Sequence, residues 1–168
     1  MNTEKTDPKI RENLFSNKTE IVVSAINSIE EKGNKSYIPI LFDLLNSDPE
    51  KEIAEKISKL LATVKDEKTT ASFIDAITDE KYRSIRKLIL TTCWQNGLNY
   101  SNYLPVFIDI IINDDWENAF EAFTIIDNLE LLPEQKTVDK AIMKIESAME
   151  SATEQKAYFM NEILTKLT

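Results

Sequence analysis

Two stretches of the chain decide the fold: YIPILFDLLNSD at residues 37–48 and YLPVFIDIIIND at residues 103–114. Each has a tyrosine, a proline two positions later and an aspartate six positions later, embedded in aliphatic and aromatic residues. The offset of 66 residues equals two periods of about 33, a spacing typical of repeated two-helix units. The sequence therefore predicts a chain built from such units.

Turn signatures support the same period. An aspartate recurs at spacings of 31 and 35 residues in NSDP, ITDE and INDD, at residues 46–49, 77–80 and 112–115. Each aspartate can cap the helix that follows it. Pro49 is predicted at a first helical position, and Asp114 with Glu117 has the spacing of a capping box. These signatures predict where the second helix of a unit begins.

Prolines and glycines indicate where other helices begin and end. With Ser36 and Asn102 as N-caps, Pro39 and Pro105 fall in a first helical turn, where the N–H has no intrahelical acceptor. The two glycines of the chain, Gly33 and Gly97, are 64 residues apart and follow apolar periodic segments. Both are expected to end a helix in the left-handed conformation.

The complete pattern predicts ten helices, at residues 8–15, 19–32, 36–46, 50–64, 68–78, 81–96, 102–112, 115–130, 134–149 and 152–167. Short connections make neighbouring helices antiparallel. The helices pair into about five units, at 8–32, 36–64, 68–96, 102–130 and 134–167. We therefore expect an all-α fold, an α–α superhelix (solenoid), as a single domain over residues 1–168.

Residues 41–61, LFDLLNSDPEKEIAEKISKLL, resemble the HEAT repeat. The resemblance lies in an early proline in the first helix, an aspartate at the turn and an aliphatic residue opening the second helix. That family often has an arginine after this aliphatic residue, and Ile85 followed by Arg86 is the one unit that conforms. The resemblance is best over residues 19–130 and implies a solenoid whose second helices line a concave surface that holds another macromolecule.

Composition narrows the function classes. The chain has 20 Lys and Arg against 29 Asp and Glu, so its net charge of -9 disfavours binding to a phosphate backbone. Histidine is absent, which removes the commonest general base and zinc ligand. Cys93 is the only cysteine, and its apolar context predicts a buried, inert thiol in a reducing compartment.

No secretory signal or membrane span is predicted. The start, MNTEKTDP, is polar, and no window approaches the roughly 18 apolar residues that a span needs. The expected location is cytoplasmic. The sequence also contains none of the common nucleotide-binding, hydrolase or metalloprotease motifs, and capping explains the carboxylate pair Asp114 and Asp115. We therefore predict no catalytic residue, no metal and no cofactor.

A helical projection at 100° per residue separates a core face from an outer stripe on each second helix. In the predicted second helices 19–32 and 50–64, the core residues are Val22, Ala25, Ile26, Ile29, Ile53, Ile57, Leu60, Leu61 and Val64. The outer stripes are polar except where Leu90 and Trp94 occur. Exposed aromatic residues beside arginine are typical of binding hot spots. The predicted partner-binding site comprises Arg83, Lys87, Leu90, Trp94, Glu117 and Glu121.

The alternative is a structural role for the same residues. Trp94 would then pack under a neighbouring helix, and Arg83 and Lys87 would form salt bridges of little energetic value with Glu117 and Glu121.

A second candidate surface is acidic. The span from Leu88 to Gln135 contains no Lys or Arg but eight carboxylates, together with Tyr100, Tyr103, Phe107 and Trp116. Such a surface would suit a basic peptide or a protein with a basic face. The alternative is a solvated acidic surface that keeps the protein soluble.

The predicted function is a non-enzymatic scaffold that binds a protein or peptide on the concave face. A HEAT-like DNA alkylation repair glycosylase is an alternative, but it needs a basic groove that the predicted stripes do not supply. A HEAT-like bilin lyase subunit has no specific residue in its favour. In a structural or assembly role, the final helix at 157–167 would serve as an end cap or a dimer face, so the sequence leaves the oligomeric state undecided.

Overall fold

The computed structural model describes residues 5–32 and 34–168, and all regular structure in them is helical. The α-helices are α1 Pro8–Leu14, α2 Thr19–Lys32, α3 Ile38–Asn46, α4 Lys51–Ala62, α5 Thr70–Thr78, α6 Arg86–Asn96, α7 Leu104–Asn113, α8 Trp116–Asp127, α9 Gln135–Met149 and α10 Glu154–Leu167. Four 3₁₀ segments lie between them, at Lys35–Tyr37, Glu67–Thr69, Glu80–Ile85 and Ser101–Tyr103. The all-α prediction is confirmed, and each predicted helix overlaps one observed helix.

The helices group into two compact units, Met1–Asn96 and Gly97–Thr168. In the first unit, α1 packs on α2, α2 on α4 and α4 on α6, while α3 packs on α4 and α5, and α5 on α6. In the second unit, α7 packs on α8 and α9, and α10 packs on α7, α8 and α9. Every helix therefore covers its apolar face with at least one neighbour that is close in sequence.

The core of the first unit follows the predicted stripes. Seven of the nine predicted core residues of α2 and α4 are less than 9% exposed, namely Val22, Ala25, Ile26, Ile29, Ile53, Ile57 and Leu61, while Leu60 and Val64 are half-buried. Phe42 and Phe73 meet edge to face with ring centroids 5.4 Å apart. Cys93 is buried, as predicted. The 3.6-residue periodicity was therefore a sound guide to this core.

Three first helices begin in the same way, and this beginning corrects the predicted caps. The side-chain oxygens of Asn34, Asp66 and Asn99 accept a hydrogen bond from the amide two residues later, at 2.9, 3.0 and 3.0 Å. A 3₁₀ turn follows each of them before the α-helix. Ser36 and Asn102, the predicted caps, lie inside these turns, so that prediction was wrong. Pro39 and Pro105 do fall in a first α-helical turn.

The caps of the second helices also differ from the prediction. Asp115, not Asp114, caps α8, because its Oδ1 accepts from the backbone N–H of Asn118 at 2.8 Å. Pro49 precedes α4 by two residues, because α4 begins at Lys51. The residue before Pro49, Asp48, has a φ of 55° and turns the chain in the left-handed region. The predicted starts of α4 and α8 were therefore each off by one position.

The predicted helix at 81–96 is α-helical only from Arg86 onwards. Its first part is the 3₁₀ segment Glu80–Ile85, which contains a non-helical residue, Tyr82, at φ -101° and ψ 17°. Asp79 starts this segment by accepting from the backbone N–H of Lys81 at 2.9 Å. The tighter 3₁₀ pitch changes the direction of side chains in the segment relative to an ideal α-helix.

Lysines from distant positions satisfy carbonyl groups at the ends of three helices. Lys65 Nζ donates to the carbonyl oxygen of Asn96 at the end of α6, at 2.5 Å. Lys156 Nζ donates to those of Ile112 and Asp114 at the end of α7. Lys166 Nζ donates to that of Asp127, the last residue of α8, at 2.6 Å. A cation at a helix C-terminus also interacts favourably with the helix dipole.

Gly97 follows α6 with a φ of 65°, as predicted, and the expectation for Gly33 lies outside the described residues. A Cβ at Gly97 would meet no atom within 4 Å, so the cost of a side chain there comes from the backbone alone. We expect Gly97→Ala to lower the free energy of unfolding by about 1 kcal/mol, measured by urea denaturation. Gly97→Asn should cost less, because asparagine tolerates this region better. Equal stability of Gly97→Ala and the wild type would contradict this account.

Candidate functional site

Four predicted site residues belong to the first unit. Arg83 lies in the 3₁₀ segment Glu80–Ile85, and Lys87, Leu90 and Trp94 lie on α6. Arg83 and Lys87 are exposed, and Trp94 is 37% exposed. These three side chains therefore present two cations and an indole on the surface of consecutive segments.

Leu90 is fully buried, so its predicted place in the binding site was wrong. It is turned about 60° away from Lys87 around the helix axis. The buried positions of α6 include Arg86, Ile89, Cys93 and Asn96, and they extend round much of its circumference. Because α6 packs against α4, α5 and the segment Glu80–Ile85, its outer stripe is narrower than a helix with one neighbour would have.

The other two predicted site residues belong to the second unit. Glu117 is exposed on α8, but Glu121 is only 9% exposed and counts among the buried residues of that helix. Glu121 was therefore wrongly predicted as a surface carboxylate. The ion pairs predicted between these glutamates and the cations of the first unit stay a prediction.

The segment that carries Arg83 is fixed to α3 by side chains. Asp43 Oδ1 accepts hydrogen bonds from Lys81 Nζ at 2.5 Å and from the hydroxyl of Tyr82 at 2.6 Å. Asn46, one turn further along α3, donates to the carbonyl oxygen of Lys81 at 3.1 Å and accepts from the hydroxyl of Ser84 at 2.9 Å. These four bonds set the position of Arg83 at the surface.

The Asp43 cluster has perturbed protonation equilibria. Burial raises the pKa of Asp43, but the hydrogen bonds from Lys81 and Tyr82 and the charge of Lys81 outweigh it and hold the pKa below its usual value of 3.8. The hydrogen bond to Asp43 raises the pKa of Lys81. The pKa of Tyr82 is raised mainly by burial and to a smaller extent by its hydrogen bond to Asp43. At neutral pH the cluster is therefore a carboxylate held by an ammonium and a neutral phenol.

Arg86 links the two helices on either side of the same segment. It is 8% exposed, and its Nε donates to the carbonyl oxygen of Ile77 near the end of α5 at 2.9 Å. Its Nη2 lies 3.1 Å from Glu80 Oε1, and the other oxygen of Glu80 lies 3.3 Å from Arg83 Nη1. Glu80 therefore connects a buried arginine to the exposed Arg83 of the candidate site.

The acidic span contains fewer exposed aromatic residues than predicted. Tyr100 and Phe107 are 1% and 0% exposed, and their rings meet edge to face at 6.1 Å in the core. Tyr103 is half-buried. Trp116 alone of the four is exposed, at 52%. The prediction of an aromatic acidic surface was therefore right for Trp116 and wrong for the core pair.

Sequence reasoning missed two further exposed aromatic residues of the second unit. Phe120, one turn along α8, is 44% exposed, and Tyr158 on α10 is 60% exposed. The i, i+4 spacing of Trp116 and Phe120 on α8 was the available signal. To use this signal, one must know which face of α8 packs against other helices.

Two cavities of the first unit lie beside α2, α3 and α4. One, of about 250 Å³, lies beside α2, α3 and α4 and is lined by Ile29, Leu41, Leu60, Val64 and the polar residues Asn34, Lys35, Asp66 and Thr69. Another of about 250 Å³ lies at the opposite ends of these helices, next to the exposed Phe15. The second cavity contains the hydrogen bond from the Thr19 hydroxyl to Glu50 Oε2, at 3.0 Å.

Within residues 5–32 and 34–168, no three acidic or thiol side chains lie close enough together to hold a metal ion. In the same residues, none of the helices combines the length and the apolar character that crossing a bilayer requires. Comparison with protein-family models, with curated proteins and with solved structures finds no match to this chain.

The Asp43 cluster allows a test of how the site is positioned. Asp43→Asn should lower the free energy of unfolding by about 1 kcal/mol at pH 7, because it weakens two hydrogen bonds to a carboxylate that is 41% exposed. A folded-state pKa below 3.8 stabilises the protein above that pH, so the difference from the wild type should shrink as the pH falls below about 4. Urea denaturation at several pH values would measure both effects.

Asp75→Asn is the matched control for this experiment. Asp75 follows a pair of buried residues in α5 as Asp43 does in α3, but it is exposed and its carboxylate makes none of the described hydrogen bonds. The control should change stability by less than about 0.5 kcal/mol. Equal effects of the two substitutions would show that the cluster contributes nothing beyond a surface charge.

Proposed function

We propose that this chain is a non-enzymatic helical-repeat module that binds a protein or peptide through the outer face of its second helices. The observation that carries the proposal is the exposed indole of Trp94 on α6, about two helical turns from the exposed Lys87 and on the same side of the helix, with the exposed Arg83 in the preceding segment. Tryptophan and arginine dominate the energetics of protein interfaces, because they combine apolar area with directed hydrogen bonds.

The proposed architecture is an α–α superhelix of HEAT-like repeats. The succession of contacts from α2 to α4 to α6, with α3 against α5, supports it, because each second helix then packs on the second helix of the next pair. The contact of α8 with α10 and of α7 with α9 supports it in the second unit. The buried Arg86 links the end of α5 to the start of α6. This link gives a structural reason for an arginine after the aliphatic residue of the second helix, as in the HEAT-like pattern.

Exposed charges along the second helices argue against a nucleic-acid enzyme. In the first unit, the exposed outer residues of these helices include Glu20, Glu31 and Glu55 as well as Lys51, Arg83 and Lys87. Lys51 lies 3.7 Å from Glu55, which partly neutralises it. A groove of mixed charge gives little of the counterion release that drives binding to DNA. The glycosylase alternative is therefore not favoured.

A photo-crosslinking amino acid at position 87 tests the proposal directly. We expect it to form a discrete covalent adduct with a protein in lysate of the native source, because the α6 face would lie within the interface. The same amino acid at Lys68, an exposed residue of the Glu67–Thr69 turn that precedes a first helix, is the matched control and should form none.

The Arg83→Glu, Trp94→Ala double variant completes the test. Loss of a tryptophan hot spot weakens binding by roughly 30-fold, so the adduct at position 87 should fall to background in this variant. Circular dichroism would establish that the variant is folded. An adduct that survives the double substitution, or that forms equally at position 68, would refute binding at this face.

A further inference from the structure

Three exposed aromatic side chains lie in the second unit and are not among the residues of the face proposed above. They are Trp116 and Phe120 on α8 and Tyr158 on α10, and we call them the aromatic patch. These residues are 52%, 44% and 60% exposed. Trp116 and Phe120 are one turn apart on α8, so they lie on the same side of that helix.

A buried phenylalanine contacts two of the three residues of the aromatic patch. Phe159 on α10 is 7% exposed, and its ring centroid lies 5.9 Å from that of Phe120 and 6.1 Å from that of Tyr158. Phe123 stacks on the same ring at 5.1 Å. Since α8 and α10 pack against each other, these contacts fix Phe120 and Tyr158 in relation to one another. Phe120 and Tyr158 are therefore held in place by the core beneath them.

The charges next to the patch are acidic. Glu154 and Glu162 precede and follow Tyr158 by one helical turn on α10, and both are exposed. Glu117, the neighbour of Trp116, is also exposed. The span from Leu88 to Gln135, which includes all of α8, contains no Lys or Arg.

Three of the five lysines of the second unit are used within the fold. Lys144 pairs with Asp109. Lys156 donates to carbonyl oxygens at the end of α7, and Lys166 donates to that of Asp127 at the end of α8. Their charges are thus directed at helix ends and at a carboxylate of α7. A cationic partner would supply the positive charge that the patch itself lacks.

We propose that the aromatic patch binds an arginine-rich peptide segment of a partner protein. A guanidinium group stacks on indole and phenol rings through cation–π attraction and can at the same time donate to neighbouring carboxylates. Electron-rich rings bordered by glutamates match both properties. Glu154 and Glu162 would repel an anionic partner, and a purely apolar partner would gain nothing from their charges.

The test uses the full chain and a fluorescein-labelled peptide of six Arg-Ser dipeptides, followed by fluorescence anisotropy at low salt. The wild type should bind this peptide and should not bind the matched Glu-Ser peptide. The Trp116→Ala, Phe120→Ala double variant should bind about 10-fold more weakly, because two cation–π contacts are lost. Met143→Ala is the control, since Met143 is 69% exposed on α9 of the same unit and lies outside the patch. It should change the affinity less than about 2-fold.

Two further variants keep the test decisive if the double variant does not fold. Trp116→Ala alone removes the most polarisable ring and should weaken binding about 3-fold, and Glu154→Gln with Glu162→Gln should do so by a similar factor. No binding of the Arg-Ser peptide to the wild type would overturn the proposal. Equal binding by the wild type and the folded Trp116→Ala variant would overturn it too, because net charge alone would then explain the affinity. Crosslinking at position 87 involves other residues, so the two proposals can fail independently.

Discussion

The last four carbonyl groups of an α-helix have no intrahelical donor, and this constraint is severe in a chain whose helices are seven to fifteen residues long. Side chains from other segments donate hydrogen bonds to these carbonyl groups. Lys65 reaches the end of α6, and Lys156 and Lys166 reach the ends of α7 and α8. Arg86 does the same near the end of α5. Each bond joins a helix end to another segment. The same hydrogen bonds therefore satisfy backbone carbonyl groups and hold neighbouring segments together.

Much of the fold could be predicted because the apolar periodicity is strong. The offset of 66 residues between residues 37–48 and 103–114 placed α3 and α7 correctly, and residues such as Ile26 and Ile57 are buried where a 3.6-residue period puts them. The 3₁₀ turns could not be predicted, because a polar residue such as Asn34 or Ser36 can start either kind of helix. Only the backbone geometry decides which of them accepts the first hydrogen bond.

The candidate site was harder to predict, since a helical projection gives the direction of a side chain but not the number of neighbours around the helix. Leu90 and Glu121 each lie at the border of a stripe, and each is buried. Trp94, nearer the centre of its stripe, is exposed as predicted, and so is Lys87, at the border of that stripe opposite Leu90. Border positions therefore depend on packing with other helices, which is information spread over segments remote in sequence.

The use of lysines at helix ends also has a consequence for the surface. A lysine that donates to a carbonyl oxygen stabilises a helix end, but its charge is then directed at the backbone instead of at nearby carboxylates. In the second unit, Lys156 and Lys166 are committed in this way, while Glu154 and Glu162 stay exposed on the same helix. The acidic field around Tyr158 thus follows from how the helix ends are satisfied. Because these lysines stabilise helix ends, they do not neutralise the nearby glutamates. The surface can therefore be acidic without any increase in the number of carboxylates.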